Sequence, residues 1–275
     1  MRSGAADGFF DPELEKRFVD GMAEFAAGVG HELNNPLAVI SGLAQTLMLD
    51  EQDGNKRRML AGIVEQTGRA YEMITSIRSF ARPPKPEPQG LSVSEFFQDW
   101  ARRERERYRS SDVLLACSDG GIADGTTITT DPAILGAILD AFARNAYDAL
   151  RFRSVAMESS NADVLKGRVS LFAEESKTID GSCRLILGVE DDGPGLSDEA
   201  RELAFSPFYS GRQAGRGLGV GLAKAWRYAE VLGAAVQCEA AVAFPTGCRW
   251  TVVLPMEKRE GEGTLSESER DAFSF

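Results

Sequence analysis

The heptapeptide RPPKPEP at residues 82–88 divides this chain in two. Four prolines in seven residues remove four backbone donors and hold φ at about −65°, which ends any helix and favours an extended, semi-rigid spacer. Residues 82–90 are therefore expected to link one domain to another.

Before the linker the pattern is helical. Phe18, Met22, Phe25, Val29, Leu33, Leu37, Ile40, Ala44 and Leu47 step by three or four, so 13–49 is expected to form one long helix with a single apolar stripe. DEQDGNK at 50–56 carries a turn signal in Asp53-Gly54. Leu60, Ile63, Thr67, Ala70, Ile74, Ile77 and Ala81 then keep heptad spacing along a second helix. Together these make a helical hairpin over 13–81. One hairpin buries neither stripe well. A second copy, completing a two-fold four-helix bundle, is the expected partner; the alternative is packing on the chain's own C-terminal domain.

After Gly90 the character changes. Helical segments at 92–109 and 131–151 give way to strand-like GRVSLFAEES and CRLILGVEDDGPG, a helix at 219–233, and two last strands, AAVQCEA and CRWTVVLP. The expected fold class is multidomain: an α-helical hairpin forming a dimeric four-helix bundle, then an α/β sandwich over 91–256. Residues 152–166 are expected to be a surface loop or short insertion. Residues 1–12 form an N-terminal tail in this reading, and polar 257–275 a disordered one.

Composition excludes several classes. Hydrophobic residues at 43% and charged residues at 27% describe a globular protein, and the net charge of −11 argues against nucleic-acid or anionic-membrane binding. Cys117, Cys183, Cys238 and Cys248 form no CxxC pair, and a single histidine leaves no zinc set. They are expected to be buried, reduced thiols of a cytoplasmic protein, three of them on strands. No apolar run approaches the roughly 18 residues of a spanning helix, and MRSGAADGFFDPELEKR lacks the core of a signal peptide.

The only histidine, His31, stands in GVGHELNNPLAVI. Two positions beyond Val29 of the stripe, it is expected to face away from the bundle core, with Asn35 on the same face and Glu32 beside it. An imidazole next to a carboxylate suits a nucleophile, the carboxylate orienting the ring or taking its proton. Pro36 deletes the helical hydrogen bond to the Glu32 carbonyl. Position alone leaves an ordinary surface histidine as the alternative.

Four later segments carry chemistry only in combination. In LDAFARNAYDAL, Asn145 is a neutral polar residue on the inward side of a helix, where an amide oxygen suits Mg²⁺ or a structural network. In EDDGPGL, Asp191 precedes Gly193 and Gly195, which permit a tight turn and close ligand approach; its carboxylate could accept from an exocyclic amine or simply close a turn. FSPFYSGR is uninformative alone. GRGLGVGL brings Gly215, Gly217, Gly219 and Gly221 to a helix start, where N–H groups converge on phosphate, without a Walker or Rossmann context.

In this order the chain resembles a bacterial two-component sensor histidine kinase over about residues 20–255. HELNNPL looks like the phospho-acceptor box and NAYDAL the N box. DDGPG and GRGLGVGL look like the two glycine boxes, with FSPFYSGR the F box between them. The resemblance implies a dimerisation and histidine-phosphotransfer domain at 13–81. It also implies a catalytic ATP-binding domain at 91–256, of the kind shared with gyrase, the Hsp90 chaperone and mismatch-repair ATPases. His31 would attack the γ-phosphate of ATP, with Glu32 as base or orienter, and Asn145 would hold Mg²⁺. Asp191 would read adenine. Asp148, Gly193, Gly195, Phe208, Arg212, Gly215, Arg216, Gly217, Leu218 and Gly219 would complete the nucleotide site, with 196–216 as its lid. Arg212 and Arg216 would approach the phosphates.

The implied partners are a second copy of the chain, the receiver domain of a response regulator, and a separate sensor or signal-input protein. Only about a dozen residues precede the first helix. Glu32 and Asn35 also fit the ExxN pattern used to dephosphorylate the regulator. One departure stands out: Ala141 lies four residues before Asn145, where relatives carry a polar residue and the related ATPases a water-activating glutamate. That argues against ATP hydrolysis as the main activity. It also favours an alternative, a nucleotide-binding dimeric scaffold without autokinase activity, which the intact His31, Asn145 and Asp191 oppose.

Overall fold

A computed structural model describes residues 12–109, 113–120, 122–123, 125–157, 167–177, 182–209 and 219–256. Side chains before Glu32 are described only at 17, 21, 24, 28 and 30, and none at 152–157. The expected tails at 1–11 and 257–275 lie outside the described residues.

The hairpin consists of α1 (Pro12–Asp50) and α2 (Gly54–Ala81). Asp53 is the N-cap of α2, its Oδ1 accepting the Asn55 and Lys56 N–H groups at 2.7 and 3.3 Å, so the expected turn shortens to three residues. The seam within the hairpin takes only part of the expected stripe. On α1 the less exposed positions are Gly30, Asn34, Leu37, Ser41, Ala44 and Met48, alternating by four and three. Small residues let the backbones approach: a Cβ at Gly30 would lie 3.3 Å from Ile74 Cγ2. Leu33, Ile40 and Leu47 of the expected stripe are 44%, 45% and 62% exposed on an adjacent face, the one left for a partner. Ile63 of α2 is likewise exposed. Steps of three and four fit either face, and side-chain size decided which one packs.

After the proline-rich segment come β1 (Gln89–Ser92), α3 (Val93–Arg107) and β2 (Val113–Ser118). Then come β3 (Thr127–Thr130), α4 (Pro132–Met157), β4 (Gly167–Lys177) and β5 (Cys183–Asp191). The one-turn α5 (Asp198–Glu202), α6 (Gly221–Val231), β6 (Ala235–Ala240) and β7 (Cys248–Pro255) complete it. β1 pairs antiparallel with β3. The main sheet runs β2-β4-β5-β7-β6, with β2 parallel to β4 and the other pairs antiparallel. Helices α3, α4 and α6 pack on it through a core containing Trp100, Ile138, Phe142, Leu187, Val189 and Trp250. This is the expected α/β sandwich.

Two local expectations change. Residues 152–157 continue α4, since FRSVAM contains no glycine or proline to stop it; 158–166 lie outside the described residues. All four cysteines are on strands, but only Cys248 is buried; Cys117, on edge strand β2, is exposed, and Cys183 and Cys238 are half-buried.

The two halves touch. Phe80 and Ala81 at the end of α2 pack with Val220 and Ala223 at the start of α6. Glu72 of α2 reaches Arg144 of α4 at 3.9 Å. The linker is tied down as well: Asp131 caps α4 through the Ala133 and Ile134 N–H groups while its other oxygen accepts the Glu87 N–H at 2.9 Å. Those three donors hold the Asp131 carboxyl below its ordinary range. No helix among the described residues is long and apolar enough to cross a membrane.

Candidate active site

Helix α4 and the end of β5 form the core of the site. Phe142, Ala146, Tyr147 and Leu150 bury one side of α4, which leaves Asn145, Asp148 and Ala149 half-buried along its rim. Asp191, the last residue of β5, is only 1% exposed. Its Oδ1 accepts the Gly193 N–H at 2.9 Å, and the Cys248 backbone and the Trp250 side chain also stabilise the carboxylate. Burial pushes its pKa up to about 6, against the hydrogen bonds from Gly193, Cys248 and Trp250.

Gly193 joins the two elements. A Cβ there would stand 2.6 Å from Asp191 Oδ1 and 3.3 Å from the Ala149 Cβ, so only glycine allows β5 and α4 this approach. Gly195 has φ +76°, in the left-handed region. The structure thus brings Asn145, Asp148, Asp191, Gly193 and Gly195 to one corner.

Phe208 and Gly219 pair with each other ahead of α6. The Phe208 N–H donates to the Gly219 carbonyl at 3.1 Å, and Phe208 takes φ +64°, unusual for an aromatic residue. Arg212, Gly215, Arg216, Gly217 and Leu218 lie outside the described residues. Ala141 is half-buried against the core. Asp140 beside it is engaged with α3, accepting Trp100 Nε1 at 3.0 Å and facing Arg107 at 3.6 Å.

His31 is helical, between Gly30, which packs on Ile74, and exposed Glu32; its side chain lies outside the described set. Asn35 is exposed, as expected. Gly30 meets α2 two residues from Glu72, which reaches Arg144 next to Asn145. The histidine turn of α1 and the rim of α4 therefore meet α2 at one level. Sequence reasoning missed Gly247: it has φ +121°, and a Cβ there would fall 1.7 Å from the Asp191 carbonyl oxygen. Its only sequence signal is a glycine just ahead of the last strand.

Residues 22–85 match the His Kinase A (phospho-acceptor) domain profile, and 130–258 match the histidine kinase-, DNA gyrase B- and HSP90-like ATPase profile. The chain is 29% identical over 206 residues to the sensor protein kinase PilS of Pseudomonas aeruginosa, covering 74% of this chain and 36% of PilS. It is 30% identical over 212 residues to the sensory histidine kinase/phosphatase NtrB of Rhodobacter capsulatus, covering 74% of this chain and 54% of NtrB. Among solved structures, full-length ShkA in complex with AMPPNP superposes with a TM-score of 0.65 at 23% identity, over 85% of this chain and 46% of ShkA. The chain spans about a third to a half of the length of the curated relatives it matches first. With both domains in series and the site residues in order, the chain belongs to the two-component sensor histidine kinases.

Proposed function

We propose that the chain is an ATP-dependent histidine autokinase that passes its phosphoryl group to an aspartate of a response regulator. The observation that carries this is the position of His31: the only histidine of the chain falls inside the phospho-acceptor match, ahead of the ATPase match that contains buried Asp191. Asp191 takes the adenine amine, and the glycines of the corner let the backbone approach the nucleotide.

Asn145 would hold Mg²⁺ through its amide oxygen, an oxygen ligand suited to that ion, which supplies charge neutralisation at the phosphates when bound. A ring nitrogen of His31 attacks the γ-phosphorus. The N–P bond forms as the bond to the β-phosphate oxygen breaks, ADP leaves with that electron pair, and the ring proton passes to Glu32. An aspartate oxygen of the receiver domain then takes the phosphoryl group. Exposed Glu32 and Asn35 also equip the chain to hold a water for hydrolysis of the regulator's acyl phosphate. Ala141, in place of a water-activating acid, favours transfer over ATP hydrolysis.

The working form is a homodimer. Leu33, Ile40, Leu47, Met59 and Ile63 are exposed on the hairpin, beside an apolar groove of about 550 Å³ lined by Leu37, Met59, Gly62, Ile63, Gln66 and Thr67. A second hairpin would cover it and close a four-helix bundle. The test is incubation with Mg²⁺ and γ-labelled ATP beside a His31→Gln variant. Acid-labile, alkali-stable label on the native chain and none on the variant is expected. ATP binding without label would overturn the autokinase reading in favour of a scaffold.

A further inference from the structure

Asp191 is flanked by two further acids, and both hold the same loop. Glu190 is 1% exposed; its Oε1 accepts the backbone N–H groups of Val242 and Ala243, and its Oε2 accepts Arg249 Nη1 at 3.0 Å. Arg249 Nη2 donates to both oxygens of Glu174 at 3.1 and 3.0 Å, and the guanidinium lies 3.8 Å over the Phe172 ring. On the other side, Asp192 accepts the Arg168 N–H at 2.7 Å and Arg168 Nε at 3.1 Å. That guanidinium lies 4.8 Å over the ring of Phe244, in the same 241–247 loop.

The loop closes on Asp191. The Ala241 N–H donates to the Gly247 carbonyl at 3.2 Å, and Gly247 sits directly on the Asp191 carbonyl, where no Cβ fits. Glu190 therefore spends both oxygens on the loop and on Arg249. Asp192 anchors the guanidinium that lies over Phe244. Asp191, between them, is buried and accepts the Gly193 N–H next to the loop's point of closure.

We propose that Glu190 and Asp192 are positioning residues for nucleotide recognition: they clamp the 241–247 loop against Asp191 and so fix where its carboxylate meets the adenine amine. This rests on Asp191 as the adenine reader. Glu190 holds the loop from β5 by its amides, and Asp192 holds it from the β5 end through Arg168. A carboxylate that is free to rotate would still accept a hydrogen bond, but it would not discriminate by position.

The experiment measures binding of ATP, ADP and purine riboside triphosphate, which lacks the N6 amine, to the full chain by calorimetry. A buried hydrogen bond to a charged acceptor predicts that the native chain prefers ATP over the purine analogue by about 10- to 100-fold. Glu190→Gln keeps an acceptor for the loop amides but breaks the ion pair with Arg249. Arg168→Ala removes the clamp over Phe244 at a half-exposed position, where folding is not at risk. In both variants the N6 preference is expected to fall at least five-fold, on the order of 1 kcal/mol. The ATP-to-ADP ratio, set at the phosphate end, is expected to stay within two-fold. Retention of the full N6 preference in both variants overturns the proposal, and Arg168→Ala decides it alone if Glu190→Gln does not fold. A native chain indifferent to N6 overturns the Asp191 reading itself, a result distinct from failure of the clamp.

Discussion

Replacing Asp191 by asparagine should stabilise the protein and weaken nucleotide binding together. Burial raises this carboxyl from its ordinary 3.8 to about 6, because the ionised form has lost more water than the Gly193, Cys248 and Trp250 hydrogen bonds replace. At about 1.4 kcal/mol for each pH unit, the ionised group costs the folded state about 3 kcal/mol. The folded pKa lies above the unfolded one. The contribution is therefore fully present below about 3.8 and is lost as pH rises through about 6. At pH 8 the asparagine variant, isosteric and still able to accept the Gly193 N–H, should be more stable by up to about 3 kcal/mol. At pH 4 the two should converge.

The assay is built into the sequence. All three tryptophans, Trp100, Trp226 and Trp250, lie in the second domain, so intrinsic fluorescence follows its unfolding within the full chain. For a domain of this size the gain corresponds to a rise in Tm of about 6 to 12 °C at pH 8. The same variant should bind ATP about 10- to 100-fold more weakly, and native affinity should fall as pH drops below about 6 while the variant's stays flat. Parallel stability curves for the two proteins from pH 4 to pH 8 would refute the reasoning.

Three further outcomes are expected. Glu104, fully buried on α3 with Oε2 unpartnered, is raised to about 7 by burial, against the opposing effect of Arg107. Its contribution is complete below about 4.5 and lost as pH rises through about 7, so Glu104→Gln should remove on the order of 3 kcal/mol of pH dependence over that window in tryptophan-monitored melts. The double variant Ile40→Lys with Leu47→Lys changes only exposed side chains; light scattering should show the mass fall from two chains to one while the tryptophan-reported Tm holds. Gly247→Ala places a Cβ on the Asp191 carbonyl at φ +121° and should destabilise the second domain by about 3 kcal/mol or more, read in the same melts.

Much of the site was legible because its signals are local. Glycine at 193 and 195 announces a turn that other residues cannot make, and Asn145 stands out as a polar residue in an apolar helix. His31 needed no structure to be noticed. The α1 stripe was legible only in period, since Leu33 and Leu37 satisfy the same spacing and differ in which neighbour they meet. Gly247 and Glu190 gave no local signal, for their roles depend on residues distant in sequence.

By itself the sequence determined the division at RPPKPEP, the helical hairpin, the α/β domain and the order of the family motifs. Proline geometry, hydrophobic period and glycine freedom act within a few residues of chain. Only the tertiary structure decided that Gly30, Ser41 and Ala44 sit in the hairpin seam, that Asp191 is buried at the end of its strand, and that Glu190 spends its oxygens on a loop 52 residues away. Those outcomes are set by packing and by the pairing of buried polar groups, and no local rule reaches that far along the chain.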